Sequence, residues 1–282
     1  MELFAKRLAE LRERCSHAIM ASALIAGLLA KGQPSSLLHV VETDAEKLAD
    51  FQAKGLNTYD ASNVDNTKHA IEKADVVVLA VKPQVIKDVL LPVKDSWGEQ
   101  VVISIAAGIA TYSLAEWLGP QVKLVRAMPN TPAMIQMGAT GLYATAGVSE
   151  AEQQLAQQVM SAAGLVLWVD DEELLHAVTA ISGSAPAYFF YMLENMIATG
   201  EKLGLTQTQA TALAMQTALG SAQMALTSHD TPADLRRKVT SPNGTTQAAI
   251  EVMDDKKMHQ IIADAMLACE QRSRELSQAF GK

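Results

Sequence analysis

The residues best placed to do chemistry fall in four short segments. In Val239–Gln247, VTSPNGTTQ, the residues Pro242, Asn243 and Gly244 make a turn, and Thr245 and Thr246 then open a helical run. A helix start offers backbone N–H groups without partners and a partial positive charge, which suits a small carboxylate. The same spacing also serves plain helix capping. Ile181–Tyr188, ISGSAPAY, puts small residues where a ligand or another backbone can approach closely before a long helix. Ser184 does not read as a triad nucleophile, because no histidine stands near it and the segment is not a G-x-S-x-G elbow; Ser182 or Ser184 as a helix cap is the plainer use. Ala80–Gln84, AVKPQ, sits at a strand end, where open α/β sheets bind ligands, and Lys82 there faces either a phosphate or solvent. Val125–Ala133, VRAMPNTPA, is a second such loop, fixed by two prolines, in which Asn130 and Thr131 bond a ribose or amide, or cap turns.

Positioning these segments falls to a regular alternation in the first half of the chain. Runs rich in β-branched residues at Leu37–Glu42, Val76–Val81, Val101–Ile105 and Val122–Ala127 are continuous rather than alternating, as expected of strands covered on both faces. Helical patterns at Ala45–Lys54, Thr67–Ala74, Gln84–Val93 and Tyr112–Leu118 separate them, and Thr140–Thr145 and Leu165–Val169 extend the sheet. The pattern predicts a doubly wound, Rossmann-like α/β sheet. After Asp170 nearly everything reads as helix, which divides the chain into an α/β domain over 1–170 and a helical domain over 171–282. The stretch Ala185–Leu203 is apolar on more than one face, which fits a subunit interface or, equally, a monomeric core.

Composition excludes several classes. Half of the 282 residues are hydrophobic and 19% are charged, enough for a large core. A net charge of −8 leaves no surplus of Lys and Arg for nucleic acid. Six scattered histidines show no metal-ligand spacing, and two cysteines, Cys15 and Cys269, fit a reducing cytoplasm rather than a disulfide framework. The apolar run Ala18–Ala30 is too short to span a bilayer, and glutamates interleave the basic residues before it, so an ordinary buried helix is expected rather than a signal peptide or a membrane anchor.

Taken in order, VTSPNGTTQAAIEVM, SGSAPAY, AVKPQ and MPNTPA resemble the pyrroline-5-carboxylate reductase family, and the resemblance runs from about Met20 to the C-terminus. Within these motifs Asn243 stands where the family usually has glycine, and Ala185 where glycine is frequent; asparagine tolerates a left-handed backbone better than most residues. The resemblance implies NAD(P)H-dependent reduction of 1-pyrroline-5-carboxylate to L-proline, and a homodimer of the helical domain assembling into a larger ring. It places the cofactor against Ala80, Val81, Lys82 and Pro83, with Ile105, Ala106 and Ala107 as a second strip, Asn66 near the adenosine ribose, and Glu172 and Thr179 beside the nicotinamide. It assigns the substrate carboxylate and ring nitrogen to Thr245 and Thr246, the latter as the catalytic residue, in a loop shaped by Ser241, Asn243 and Gly244. Glu42 and Asp44 can accept a ribose hydroxyl and favour NADH, while many relatives use NADPH.

One part departs from the family. Where the family has a strand and a G-x-G-N-M-A loop, this chain reads RCSHAI before MASALIAGLL, and Phe4, Leu8, Leu11, Cys15 and Ile19 recur at helical spacing. Residues 2–30 are therefore expected to form one long helix, with the first strand and phosphate loop missing, NADPH binding weakened and reductase activity impaired. A non-catalytic relative acting through its oligomerisation domain is the alternative function; the missing loop favours it, and the VTSPNGTT loop favours the enzyme.

Overall fold

The computed structural model describes residues 16–280; residues 1–15, and with them half of the helix expected over 2–30, lie outside the described residues. The first described element is helix α1 (Ser16–Ala30), followed by strand β1 (His39–Glu42), α2 (Ala45–Ala53), β2 (Asn57–Asp60), α3 (Val64–Glu72), β3 (Val76–Leu79), α4 (Ile86–Leu90), β4 (Val101–Ser104) and α5 (Thr111–Leu118). Then come β5 (Lys123–Met128), β6 (Gly138–Ala144), α6 (Glu150–Met160), β7 (Gly164–Trp168) and α7 (Leu174–Val178), which runs into a π-helical turn, Thr179–Gly183. The remaining helices are α8 (Ala185–Lys202), α9 (Gln207–Thr227), α10 (Pro232–Lys238), α11 (Thr245–Asp255) and α12 (Met258–Phe280).

The strands form the expected doubly wound sheet in two pieces. β1 and β2 pair in parallel, and β3, β4, β5, β6 and β7 form a second sheet in that order, parallel except between β5 and β6. Among the described residues no strand joins the two pieces. Successive residues of β4 point to opposite sides and bury a core on each. Val101 and Ile103 join Met20, Ala23 and Leu24 of α1 and Met160 of α6; Val102 joins Ile86 and Leu90 of α4 and Leu114, Trp117 and Leu118 of α5. Burial on both faces explains why these strands read as unbroken apolar runs.

Local sequence sets several helix starts. The Asp44 side chain accepts from the N–H groups of Glu46 and Lys47 at the start of α2, and reciprocal capping boxes open α6 (Ser149 with Glu152) and α9 (Thr206 with Gln209). Two elements differ from expectation. α3 begins at Val64 rather than Thr67, because the Asn63 side chain caps Asp65 N–H, and β2 is a strand that the polar sequence NTYD does not announce.

The described residues pack into two compact units. One extends to Ser184 and takes in the segment from Cys269; the other spans Ala185–Ala268. Where the chain leaves the first unit and where it returns, Cys269 Sγ donates to Ser184 Oγ at 3.2 Å. The returning turns of α12 are fastened further along, where Ser273 Oγ meets His176 Nδ1 at 2.8 Å and Arg274 pairs with Glu173.

Candidate active site

β3 and β4 run parallel with Leu79 beside Ser104, and Ile105 N–H donates to Leu79 O at 3.1 Å, so the segments leaving their carboxyl ends lie side by side. Ala80–Pro83 and Ile105–Ala107 are thus brought together, as a cofactor bed requires. In the first strip Lys82 is exposed and its three neighbours are half-buried. In the second, Ile105 and Ala106 are buried and only Ala107 is exposed. Gly108 follows with φ +77°, and a Cβ there would lie 3.3 Å from the Phe280 ring and 3.5 Å from Leu276 of α12. It is the positive φ that calls for glycine.

Next to these two segments lies a buried ion pair. Arg126, at the carboxyl end of β5 and paired in register with Ser104, is 6% exposed, and its Nη1 lies 2.9 Å from Glu172 Oε1. The same carboxylate accepts from Thr111 N–H at 2.8 Å and from Thr111 Oγ1 at 2.5 Å. Beside it His176, 3% exposed, is held below its ordinary pKa by burial and then by the Arg126 guanidinium. The Thr179 hydroxyl is spent within its own helix, on Leu175 O at 2.8 Å. Neither Arg126 nor Thr111 was picked out by sequence reasoning, because their partner lies 46 and 61 residues away and leaves no local pattern.

At the carboxyl end of β1, Glu42 is half-buried. Burial raises its carboxyl, but bonds from the N–H groups of Thr43 and Asp44 and from Lys47 outweigh that and hold it below the usual range. Asp44 is occupied as the cap of α2. Asn66, on α3, donates to Asp60 O at 3.0 Å, at the end of β2. Asn130 is buried with both ends of its amide engaged, donating to Ser182 O at 3.1 Å and accepting from Ala139 N–H at 2.8 Å, so it braces the fold. Ser182 Oγ donates to Val178 O rather than capping the next helix.

The second unit carries the Val239–Gln247 loop. Asn243 sits at φ +59°, a left-handed conformation that asparagine tolerates better than most residues, and its N–H donates to Gln247 Oε1 at 2.7 Å. Gly244 N–H bonds Ser241 O at 3.0 Å and Gly244 is the N-cap of α11. No side chain caps that helix start, which leaves the N–H groups of its first turn, beginning at Thr245 and Thr246, without a side-chain cap. Ser241 and Asn243 are exposed, and Thr246 is half-buried. Among the described residues no cluster of side chains has the makings of a metal site, and no helix is long and apolar enough to cross a membrane.

Known proteins match along the whole of this layout. The family model for pyrroline-5-carboxylate reductase dimerisation matches residues 172–276, and one described as NADP oxidoreductase, coenzyme F420-dependent, matches residues 18–108. The pyrroline-5-carboxylate reductase of Pseudomonas aeruginosa is 47% identical over 264 residues, covering 93% of this chain and 95% of that protein. That of Haemophilus influenzae is 40% identical over 263 residues, with the same coverage of 93% and 95%. Among solved structures, a pyrroline-5-carboxylate reductase from Coxiella burnetii superposes with a TM-score of 0.86 at 40% identity, covering 92% of this chain and 95% of that one. The Plasmodium falciparum pyrroline carboxylate reductase with NADP bound gives 0.81 at 25% identity, over 92% and 95%. On the family model and these relatives, the chain belongs to the pyrroline-5-carboxylate reductase family.

Proposed function

We propose that this protein reduces 1-pyrroline-5-carboxylate to L-proline with NADPH or NADH as reductant. The observation that carries the reading is the uncapped start of α11 behind the left-handed Asn243, a helix start whose first two residues are threonines and whose amides suit a small anion. Ser241, Asn243 and Gly244 shape it, Thr245 and the first-turn amides hold the substrate carboxylate, and the Thr246 hydroxyl steadies the ring nitrogen. The protonated C=N bond is already electrophilic, so no strong protein acid is needed, and the chain supplies proximity and orientation.

The residues present fit the two ends of a dinucleotide. Ala80–Pro83 and Ile105–Ala107 form the bed for the nicotinamide, with Glu172 and Thr179 at its margin, and Asn66 lies toward the adenosine ribose. When bound there, the dihydronicotinamide supplies the hydride. The middle fits less well, since no glycine precedes Gly27 in this sequence to let backbone amides close on a pyrophosphate.

Oligomerisation belongs to the same reading. Taken by itself, the helical unit buries little beyond small alanines such as Ala210 and Ala214, and leaves Phe189, Phe190, Tyr191, Leu213 and Leu219 exposed. Such an apolar surface needs a partner. A homodimer, assembled further into a ring and working in the cytoplasm, accounts for it. Light scattering at micromolar concentration should show a dimer or larger, and a monomer would contradict the assembly. The activity itself is tested by oxidation of NADPH or NADH, followed by absorbance, on adding 1-pyrroline-5-carboxylate. A protein that assembles but turns over neither cofactor would revive the oligomerisation-only alternative, which the matches to reductases over nine-tenths of the chain do not favour.

A further inference from the structure

The loop that carries Ile105–Ala107 ends in a helix with a poor start of its own. The N-cap of α5 is Ala110, extended at φ −76° and ψ 155°, with no side chain to offer the first-turn amides. Alanine is among the weakest residues at that position. The missing cap comes from elsewhere in the chain: Glu172 accepts from both Thr111 N–H and Thr111 Oγ1. A carboxylate at a helix start is favoured by the helix dipole, but this one is largely withdrawn from water and needs a countercharge. Arg126 provides it at 2.9 Å, from a strand position beside Ser104, the residue that leads into Ile105. One ion pair therefore ties together the β4–α5 loop, the end of β5 and the loop after β7.

We propose that Arg126 is a positioning residue for the reduction, holding the Glu172 carboxylate on the start of α5 and thereby fixing the Ile105–Ala110 strip on which the nicotinamide lies. This rests on the cofactor bed proposed above. It also gives Glu172 a definite task, because its carboxylate is directed at Thr111 and Arg126. The arrangement couples the strip to the β7–α7 loop, so that a change in either is felt at the other.

The test uses the full-length protein and three variants. Arg126→Met leaves Glu172 buried without its partner. Arg126→Met with Glu172→Leu removes both charges and the cap. Adding Ala110→Ser to that pair restores a cap locally. Hydrogen exchange of the peptide covering 105–113, the dissociation constants of NADPH and of 2′-phospho-ADP-ribose (which lacks the nicotinamide), kcat, and the KM for NADPH are measured for each. The expected result is faster exchange at 105–113 and a roughly tenfold rise in the NADPH KM and dissociation constant in the first two variants, with binding of the fragment unchanged. The charge-free pair should regain thermal stability without regaining NADPH affinity, and Ala110→Ser should recover most of that affinity. Equal losses for NADPH and the fragment, or no rescue by Ala110→Ser, would reduce Arg126 to a general structural role and overturn the proposal. Should the parent protein turn over no 1-pyrroline-5-carboxylate, the proposed function fails, and exchange at 105–113 judges the clamp separately: unchanged exchange overturns it.

Discussion

Gly27→Ala sets two known effects against each other, and the structure decides the sign. Gly27 lies inside α1, where replacing glycine by alanine ordinarily stabilises a helix by about 1 kcal/mol. A Cβ at Gly27, however, would stand 2.1 Å from Ala162 O, 2.7 Å from Ala162 C and 3.2 Å from Ala162 Cβ. A comfortable carbon–oxygen contact is about 3.3 Å, so the helix or the turn at Ser161–Ala163 must retreat by roughly 1 Å. Neither yields cheaply. The turn is 3₁₀ backbone with Ala162 and Ala163 buried, and Met20, Ala23 and Leu24 of the same helix are locked into the core beside Ile103. Overpacking of this kind costs ~1–3 kcal/mol, and a shift of that size forfeits a quarter to a half of each affected dispersion contact. Steric cost exceeds propensity gain, and the variant should lose ~1–2 kcal/mol. The assay is urea denaturation followed by circular dichroism, with the melting temperature alongside, expected to fall by about 3–6 °C. A midpoint equal to or above that of the parent would show that the contact relaxes without cost, and the account of α1 packing would be wrong.

Three further outcomes are expected. Thr246→Ala should cost ~1.5–3 kcal/mol of transition-state stabilisation, seen as a tenfold or greater loss of kcat/KM for the imine with NADPH affinity unchanged; full retained efficiency would move the substrate elsewhere. Replacing residues 1–19 by a strand and a G-x-G-N loop should tighten NADPH binding at least tenfold by calorimetry, since glycines admit backbone amides to the phosphates; an unchanged constant would mean the phosphates are held by other groups. Glu152 is held at about 2 by its bond from Lys123 and by the Ser149 cap, so its contribution is complete above its ordinary value of 4.5 and is lost as the pH falls toward about 2. Glu152→Gln should therefore cost ~1 kcal/mol at neutral pH, discounted for its solvent-facing pair, and nothing in strong acid; a pH-independent difference would refute the ionic account.

What could be read in the sequence follows a physical line. β3, β4 and β5 were legible because burial on both faces forces unbroken apolar runs, and β6 and β7 because Thr140–Thr145 and Leu165–Val169 keep β-branched residues between turns. β2 was not, since NTYD pairs only with β1, is half-exposed and needs no apolar residues. The start of α3 was misplaced because Asn63 as a cap resembles any loop asparagine until its side chain is seen on Asp65 N–H. The turn before α11 was legible because it is local: Asn243, Gly244 and Gln247 complete their geometry within a few residues. The Arg126–Glu172–Thr111 clamp was not, because nothing in one segment anticipates a partner brought in by another strand. The antiparallel direction of β6 was likewise invisible, being set by the short 3₁₀ turn at Thr131–Ile135 rather than by any periodicity.

The point where Cys269 meets Ser184 has a temporal meaning. The helical unit is one continuous stretch inserted into a first unit that is itself assembled from two separated pieces. Synthesis runs from N- to C-terminus, so the first unit reaches the ribosome exit in two instalments, with the whole of Ala185–Ala268 delivered between them. Until the second instalment emerges, His176 has no Ser273, Glu173 has no Arg274, and Gly108 has no Phe280 to close over it. The nascent α/β unit must wait, incomplete, while the helices that follow it are made. That unit is finished last, although nearly all of its residues are synthesised first.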